Sequence, residues 1–139
     1  TQRTIDAPRE LVFSAFRNPD QLARWWGPEG FTNSFREFDL HKGGYWRFTM
    51  HGPDGKDYPN ESCFLEVVPD ERVVIEHFSG HHFVLTITFF RVGNATVVGW
   101  HQLFDTVEHY RQIAEFVANA NEQNLNRLEA EVRRAKNLQ

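Results

Sequence analysis

Asp105 to Gln139, DTVEHYRQIAEFVANANEQNLNRLEAEVRRAKNLQ, runs through the last quarter of the chain without a glycine or a proline. At about 100° per residue, one face collects Tyr110, Ile113, Ala114, Val117, Ala120, Leu128, Val132 and Ala135, the stripe of an amphipathic helix. Asp105 or Thr106 suits its N-cap, and Glu108 stands three residues after Asp105 as in a capping box. Arg133, Arg134 and Lys136 complement the negative end of the helix dipole. Asn121 and Asn124 interrupt the stripe, where a helix on a dry core carries Leu or Ile. A buried amide without a partner costs roughly 1–3 kcal/mol, so this turn is expected to face a cavity that holds water or a ligand. On that reading Asn124→Leu stabilises the protein if the space below is empty and apolar, and weakens binding if the amide orients a guest.

The rest of the chain reads as a sheet for that helix to cover. Thr1 to Asp6 forms a short strand; Thr1 opens inside it, so residues are expected to precede it in the native chain. Ala7-Pro8 ends the strand and Pro8 starts a helix over Arg9 to Arg17, with Leu11, Val12, Ala15 and Phe16 at helical spacing. Asn18 caps a second helix, Pro19 to Trp26, which presents Leu22, Trp25 and Trp26 before the turn Gly27-Pro28-Glu29-Gly30. Strands then follow at the spacing of an antiparallel meander: Phe31 to Leu40, Tyr45 to Met50, Glu61 to Val68, Arg72 to Phe78, His82 to Val92 and Ala95 to Phe104. A single antiparallel sheet of about seven strands must cover one face, and only the terminal helix is long enough. Thirty helical residues span roughly 45 Å, against roughly 33 Å for a ten-residue strand.

Composition bounds the function. A chain of 139 residues is expected to form one domain over 1–139, and 13 Phe with 4 Trp suit an aromatic-lined concave site. Net charge −4 and pI near 5.9 exclude the basic footprint of a nucleic-acid binder. One cysteine, Cys63, excludes an internal disulfide and fits the reducing cytoplasm. No apolar run reaches the roughly 18 residues of a membrane span.

Several segments carry a family pattern: Ile5-Asp6-Ala7-Pro8-Arg9-Glu10-Leu11-Val12-Phe13, Asn18-Pro19 through Leu22 to Trp25-Trp26-Gly27-Pro28, Gly43-Gly44-Tyr45-Trp46-Arg47-Phe48, Gly52-Pro53-Asp54-Gly55, and Val67-Val68-Pro69-Asp70-Glu71-Arg72-Val73. Together they resemble the bacterial family named after the C-terminal part of the activator of the heat-shock-protein-90 ATPase, within the SRPBCC or START-like superfamily. The resemblance covers essentially the whole chain. It implies an α+β helix-grip fold, a curved antiparallel sheet wrapped around a long C-terminal helix. It also implies a cavity between the two, which the superfamily uses for lipids, polyketides and other apolar molecules. Ala120-Asn121-Glu122-Gln123-Asn124-Leu125 resembles a branch with a polar run in this helix, while the Gly-Trp that opens the helix in other members is absent.

Alternation sets Trp46, Phe48 and Met50 on one face of their strand, and Phe83, Leu85, Ile87 and Phe89 on one face of theirs. In the last strand both faces hold apolar residues, so its inward face stays undecided. The expected lining is therefore Trp25, Trp46, Phe48, Phe83, Ile87, Phe89, Val117 and Leu128, with Asn121 and Asn124 orienting an apolar or aromatic ligand. Trp25-Trp26-Gly27-Pro28 reads either as a lip admitting that ligand or as a plug on which the second helix docks.

Seven histidines show no helical or His-x-His metal spacing, and Lys42-Gly43-Gly44 runs strand to strand rather than into a helix, so neither metal nor cofactor is expected. Cys63 lies mid-strand without a nucleophile elbow, so no catalytic residue is assigned. Two other readings remain open: a co-chaperone-like interaction module, and a cyclase or hydrolase in which Glu66, His77, His101 and Arg47 converge. An exposed strand edge also leaves homodimerisation open.

Overall fold

The computed structural model describes residues 1–138, with side chains at all of them except 109 and 112. Its elements are β1 (Gln2–Ile5), α1 (Arg9–Arg17), α2 (Pro19–Trp25), β2 (Thr32–Phe38), β3 (Tyr45–His51), β4 (Asp57–Val68), β5 (Arg72–His77), β6 (Phe83–Val92), β7 (Ala95–Phe104) and α3 (Val107–Asn137). The strands form one antiparallel sheet in the order β1-β7-β6-β5-β4-β3-β2, a meander from β2 to β7 with β1 added beside its last strand. α1 and α2 therefore carry the chain from one sheet edge to the other. This is the α+β arrangement the sequence predicts.

Local chemistry explains the boundaries. Asn18 accepts hydrogen bonds from the Asp20 and Gln21 amides at 3.0 and 3.4 Å, capping α2 with Pro19 as its first residue. Pro8 is itself the N-cap of α1 rather than its first helical residue. β4 begins at Asp57, four residues before the expected start, although Pro59 lies within it. Its partner β5 reaches only to Ser62, so the missing Pro59 amide costs no ladder bond on that side.

The core lies between the sheet's inner face and the helices. Trp46, Phe48, Phe64, Val73, Ile75, Leu85, Ile87, Phe89, Val98 and Trp100 face inward, which settles the last strand in favour of Trp100. From the helices Val12, Phe13, Phe16, Leu22, Trp25, Leu125, Leu128 and Val132 meet them. Leu125, in the core, is an addition to the predicted stripe.

The polar run of α3 serves a purpose other than the expected one. Asn124 Nδ2 donates to the Trp25 carbonyl at 3.0 Å, and its Oδ1 accepts from the Gly27 amide at 3.3 Å. Gln123 Oε1 accepts from the Glu29 amide at 3.0 Å. Arg127, one turn on, donates to the carbonyls of Arg24, Trp26, Gly27, Pro28 and Phe31 at 2.7–3.1 Å. The loop leaving α2 is thus held by its backbone. Gly27 takes φ +96°, and a Cβ there would lie 2.7 Å from the Met50 methyl, so glycine is required. The assignment of Asn124 to a ligand is corrected: its amide is satisfied by backbone groups, which occupy the space beneath it. A second clamp holds α2 itself, where buried Glu131 accepts from Gln21, Arg24 and Arg134 at 2.7–3.3 Å. Burial alone would raise the Glu131 pKa, but Arg134, Arg24 and Gln21 outweigh it and the net shift is downward.

These bonds reverse the expected outcome of one substitution. Asn124→Leu strands the Gly27 amide and the Trp25 carbonyl away from water and should lower the unfolding free energy by about 1–3 kcal/mol. Arg127→Met should cost about 2–4 kcal/mol, because hydrogen bonds from a charged donor are lost together. Urea denaturation followed by tryptophan fluorescence measures both.

Candidate functional site

α3 changes character along its length. From Asn124 onward, Leu125, Leu128, Glu131 and Val132 are buried, whereas no described side chain from Val107 to Gln123 is fully buried. The end of the sheet that the first half spans is correspondingly less sealed. There the strand register sets Trp46, Ser62, His77, Phe83 and Phe104 side by side on the inner face, from β3 to β7. The next row holds Phe64, Ile75, Leu85 and Gln102. Asn121 reaches down from α3 and donates from Nδ2 to Gln102 Oε1 at 3.0 Å, and Tyr110 stands 5.9 Å from the Phe104 ring.

Aromatic packing gives this end a dense wall. Trp46 stacks on Phe48 at 4.4 Å and meets Trp26 at 4.8 Å, and Trp26 lies 5.6 Å from Trp100. Trp46 and Trp100 are 0% and 4% exposed, yet the Nε1 donor of each is without an acceptor among the described residues. Trp25 differs, since its Nε1 donates to the Ala15 carbonyl at 2.8 Å. Buried indole N–H groups ordinarily find a partner. Two orphaned donors in one aromatic wall, with the buried Ser62 hydroxyl in the same row as Trp46, suit a guest carrying an acceptor.

His77 borders this wall, its ring stacked on Phe83 at 4.5 Å. Nδ1 lies 2.8 Å from the His81 carbonyl and Nε2 lies 2.7 Å from Asn60 Oδ1. Burial pushes the His77 pKa below the ordinary histidine value, against the opposing pull of the His81 carbonyl. Asn60 Nδ2 donates to the Tyr58 carbonyl at 2.8 Å, which turns its Oδ1 toward His77 Nε2, so a neutral His77 ring can donate to only one of its two acceptors at a time.

Of the residues predicted to line the cavity, Phe83, Val117 and Asn121 are partly exposed at this less sealed end, and Trp46 shares the row of Phe83 but is itself fully buried in the core. Phe48, Ile87, Phe89 and Leu128 are core, with Phe89 edge-on to Phe13 at 5.3 Å. Trp25 plugs the junction of α1 and α2, so the Trp25-Trp26 corner divides into one plug and one wall residue. Trp26, Trp100, Gln102 and Ser62 are additions; sequence could have found Trp100 and Gln102 only by fixing which face of β7 turns inward. The proposed acid–base group does not assemble. Glu66 pairs with Arg72, Arg47 pairs with Glu37 at 2.6 Å, His101 is exposed, and only His77 faces the interior.

A family model described as "Activator of Hsp90 ATPase homolog 1-like protein" matches residues 6–133. Among solved structures, a crystal structure from Nitrosomonas europaea superposes with a TM-score of 0.89 at 22% identity, covering 98% of this chain and 94% of that one. A crystal structure from Chromobacterium violaceum gives 0.78 at 26% identity, covering 95% and 94%. A solution structure from Arthrobacter aurescens gives 0.87 at 20% identity, covering 96% and 84%. No curated protein matches. No helix among the described residues is long and apolar enough to cross a membrane.

The start of α3 is tied down by one imidazole. His82 Nδ1 lies 2.6 Å from Asp105 Oδ1 and Nε2 lies 2.9 Å from Glu76 Oε2. Asp105, one of the two residues expected to cap the helix, is therefore spent on His82, and α3 begins at Val107, directly after the other, Thr106. The bonds to Glu76 and then Asp105 raise the His82 pKa above its ordinary 6.5. Its contribution to stability is thus complete below about pH 6.5 and is lost as pH rises through the folded value. His77 has the opposite sign, stabilising above that range and less as pH falls through its depressed folded value. Replacing His82 with Gln should therefore lower Tm more at about pH 6 than at about pH 8.5, and Asp105→Asn should flatten the same difference. Thermal unfolding at the two pH values measures it.

Proposed function

The chain belongs to the family of Activator of Hsp90 ATPase homolog 1-like proteins, and from that premise we propose that it works as one domain binding an apolar, aromatic small molecule between the inner face of the sheet and the first half of α3. One observation carries the reading: the buried N–H groups of Trp46 and Trp100 have no acceptor among the described residues. A carbonyl or ether oxygen on the guest would accept from them. Phe83, Phe104 and Val117 would cover its apolar body, and Asn121, Gln102 and His77 would border the entrance. Lipids lacking an acceptor near the ring would leave the indoles unsatisfied and bind less well.

Flavone, an aromatic ketone, is a suitable probe. In ¹H–¹⁵N spectra it should shift the indole signals of Trp46 and Trp100 and leave that of Trp25, bonded to Ala15, in place. Trp46→Phe keeps an aromatic ring without the donor and should weaken flavone binding about tenfold, the worth of roughly one hydrogen bond. Unmoved Trp46 and Trp100 signals at saturating flavone and across a panel of aromatic ketones would remove the reading.

A protein-interaction role draws on a different observation. Leu103, Val107 and Phe116 are apolar yet exposed, Phe116 by 71%. If that surface is a contact, Phe116→Asp abolishes self-association or partner capture in sedimentation experiments while flavone binding is unchanged.

A further inference from the structure

A hollow lies outside α1, lined by no residue of α3. It is an open hollow of about 370 Å³, bounded by α1, the turn between β2 and β3, and the turn between β4 and β5. Phe13, Leu40, Val67 and Pro69 make its floor and walls, and Arg17 and Lys42 stand on its rim.

The two cations are placed and unspent. The Arg17 guanidinium lies 5.9 Å from the centroid of the Phe13 ring, over the floor. Lys42 sits on a turn pinned to β4, where the Gly43 amide donates to the Phe64 carbonyl at 2.7 Å and the Phe64 amide to the Gly44 carbonyl at 2.9 Å. A Cβ at Gly44 would fall on the Asp39 carbonyl oxygen, so the turn closes only around glycine. Asp39, beside the same turn, is bonded to His41, whose Nδ1 lies 2.6 Å from Oδ1. Neither Arg17 nor Lys42 forms an ion pair or hydrogen bond with another described residue. On a chain of net charge −4, two unneutralised cations above an apolar floor are complementary to a single negative charge on an apolar body.

We propose that this hollow is a second binding site, for a free amphipathic monocarboxylate whose chain lies on Phe13, Leu40, Val67 and Pro69 and whose carboxylate sits between Arg17 and Lys42. The site has its own residues, so it stands or falls independently of the one under α3.

Decanoate and decanol share an apolar chain and differ in charge. Titrated below micelle concentration into the intact protein, decanoate should shift the Leu40 and Val67 methyl signals and bind at least about tenfold more tightly than decanol. Lys42→Gln and Arg17→Gln, both on exposed side chains, should each weaken decanoate about fivefold without changing decanol, and raised salt should do the same. Equal affinities for decanoate and decanol overturn the proposal, as does indifference to both substitutions. So do shifts confined to the Trp46 and Trp100 indoles, which assign decanoate to the other site. Sedimentation with phosphatidylglycerol vesicles, without any shift by monomeric decanoate, also overturns it and makes the rim a membrane contact.

Discussion

Five backbone carbonyls between Arg24 and Phe31 converge on the guanidinium of Arg127. A loop with so many carbonyls turned to one side has no secondary structure to satisfy them, and water cannot serve them where the loop is covered. One planar cation meets the requirement through the four N–H bonds of Nη1 and Nη2, with Nη1 shared among three carbonyls. Burial pulls its pKa down, but an arginine remains charged. With Asn124 and Gln123 beside it, Arg127 fixes the exit of α2, and that exit sets Trp26 between Trp46 and Trp100. The aromatic wall thus depends on a polar contact made on its far side.

The division of α3 into two halves follows from the same contacts. Its second half carries the backbone clamp, the buried Glu131 and the residues of the core. Its first half is tied from the side, by Asn121 to Gln102, Tyr110 beside Phe104, Glu122 to Thr1 and Arg3, and the His82 bridge just ahead of the helix. The two halves therefore hold to the rest of the molecule through different residues.

Architecture was legible in the sequence because it rests on periodicity and turn chemistry. α1 and β7 fall where Leu11, Val12, Ala15 and Phe16, and the Gly93-Asn94 turn, place them. The site was only partly legible. An amide inside an apolar stripe means that something polar lies beneath it, and sequence does not distinguish a ligand from a backbone; at Asn124 it was backbone. The signal available was Arg127, at helical spacing from Asn124 and Gln123 and so on the same side, a donor set too rich for one small guest. Trp100 was out of reach, since β7 carries apolar residues on both faces and only its pairing with β1 and β6 decides between them.

The seating of β1 beside β7 has a kinetic side. The first strand's only neighbour is the last one, almost a hundred residues further along, as in the pairing of Gln2 with Gly99. During synthesis, which proceeds from the N-terminus, the six-strand meander can zip through local hairpins as each strand emerges, while β1 must wait unpaired until β7 leaves the ribosome. Between the emergence of β1 and that of β7 the nascent chain therefore carries an unpaired strand, and the sheet is complete only once β7 has joined it.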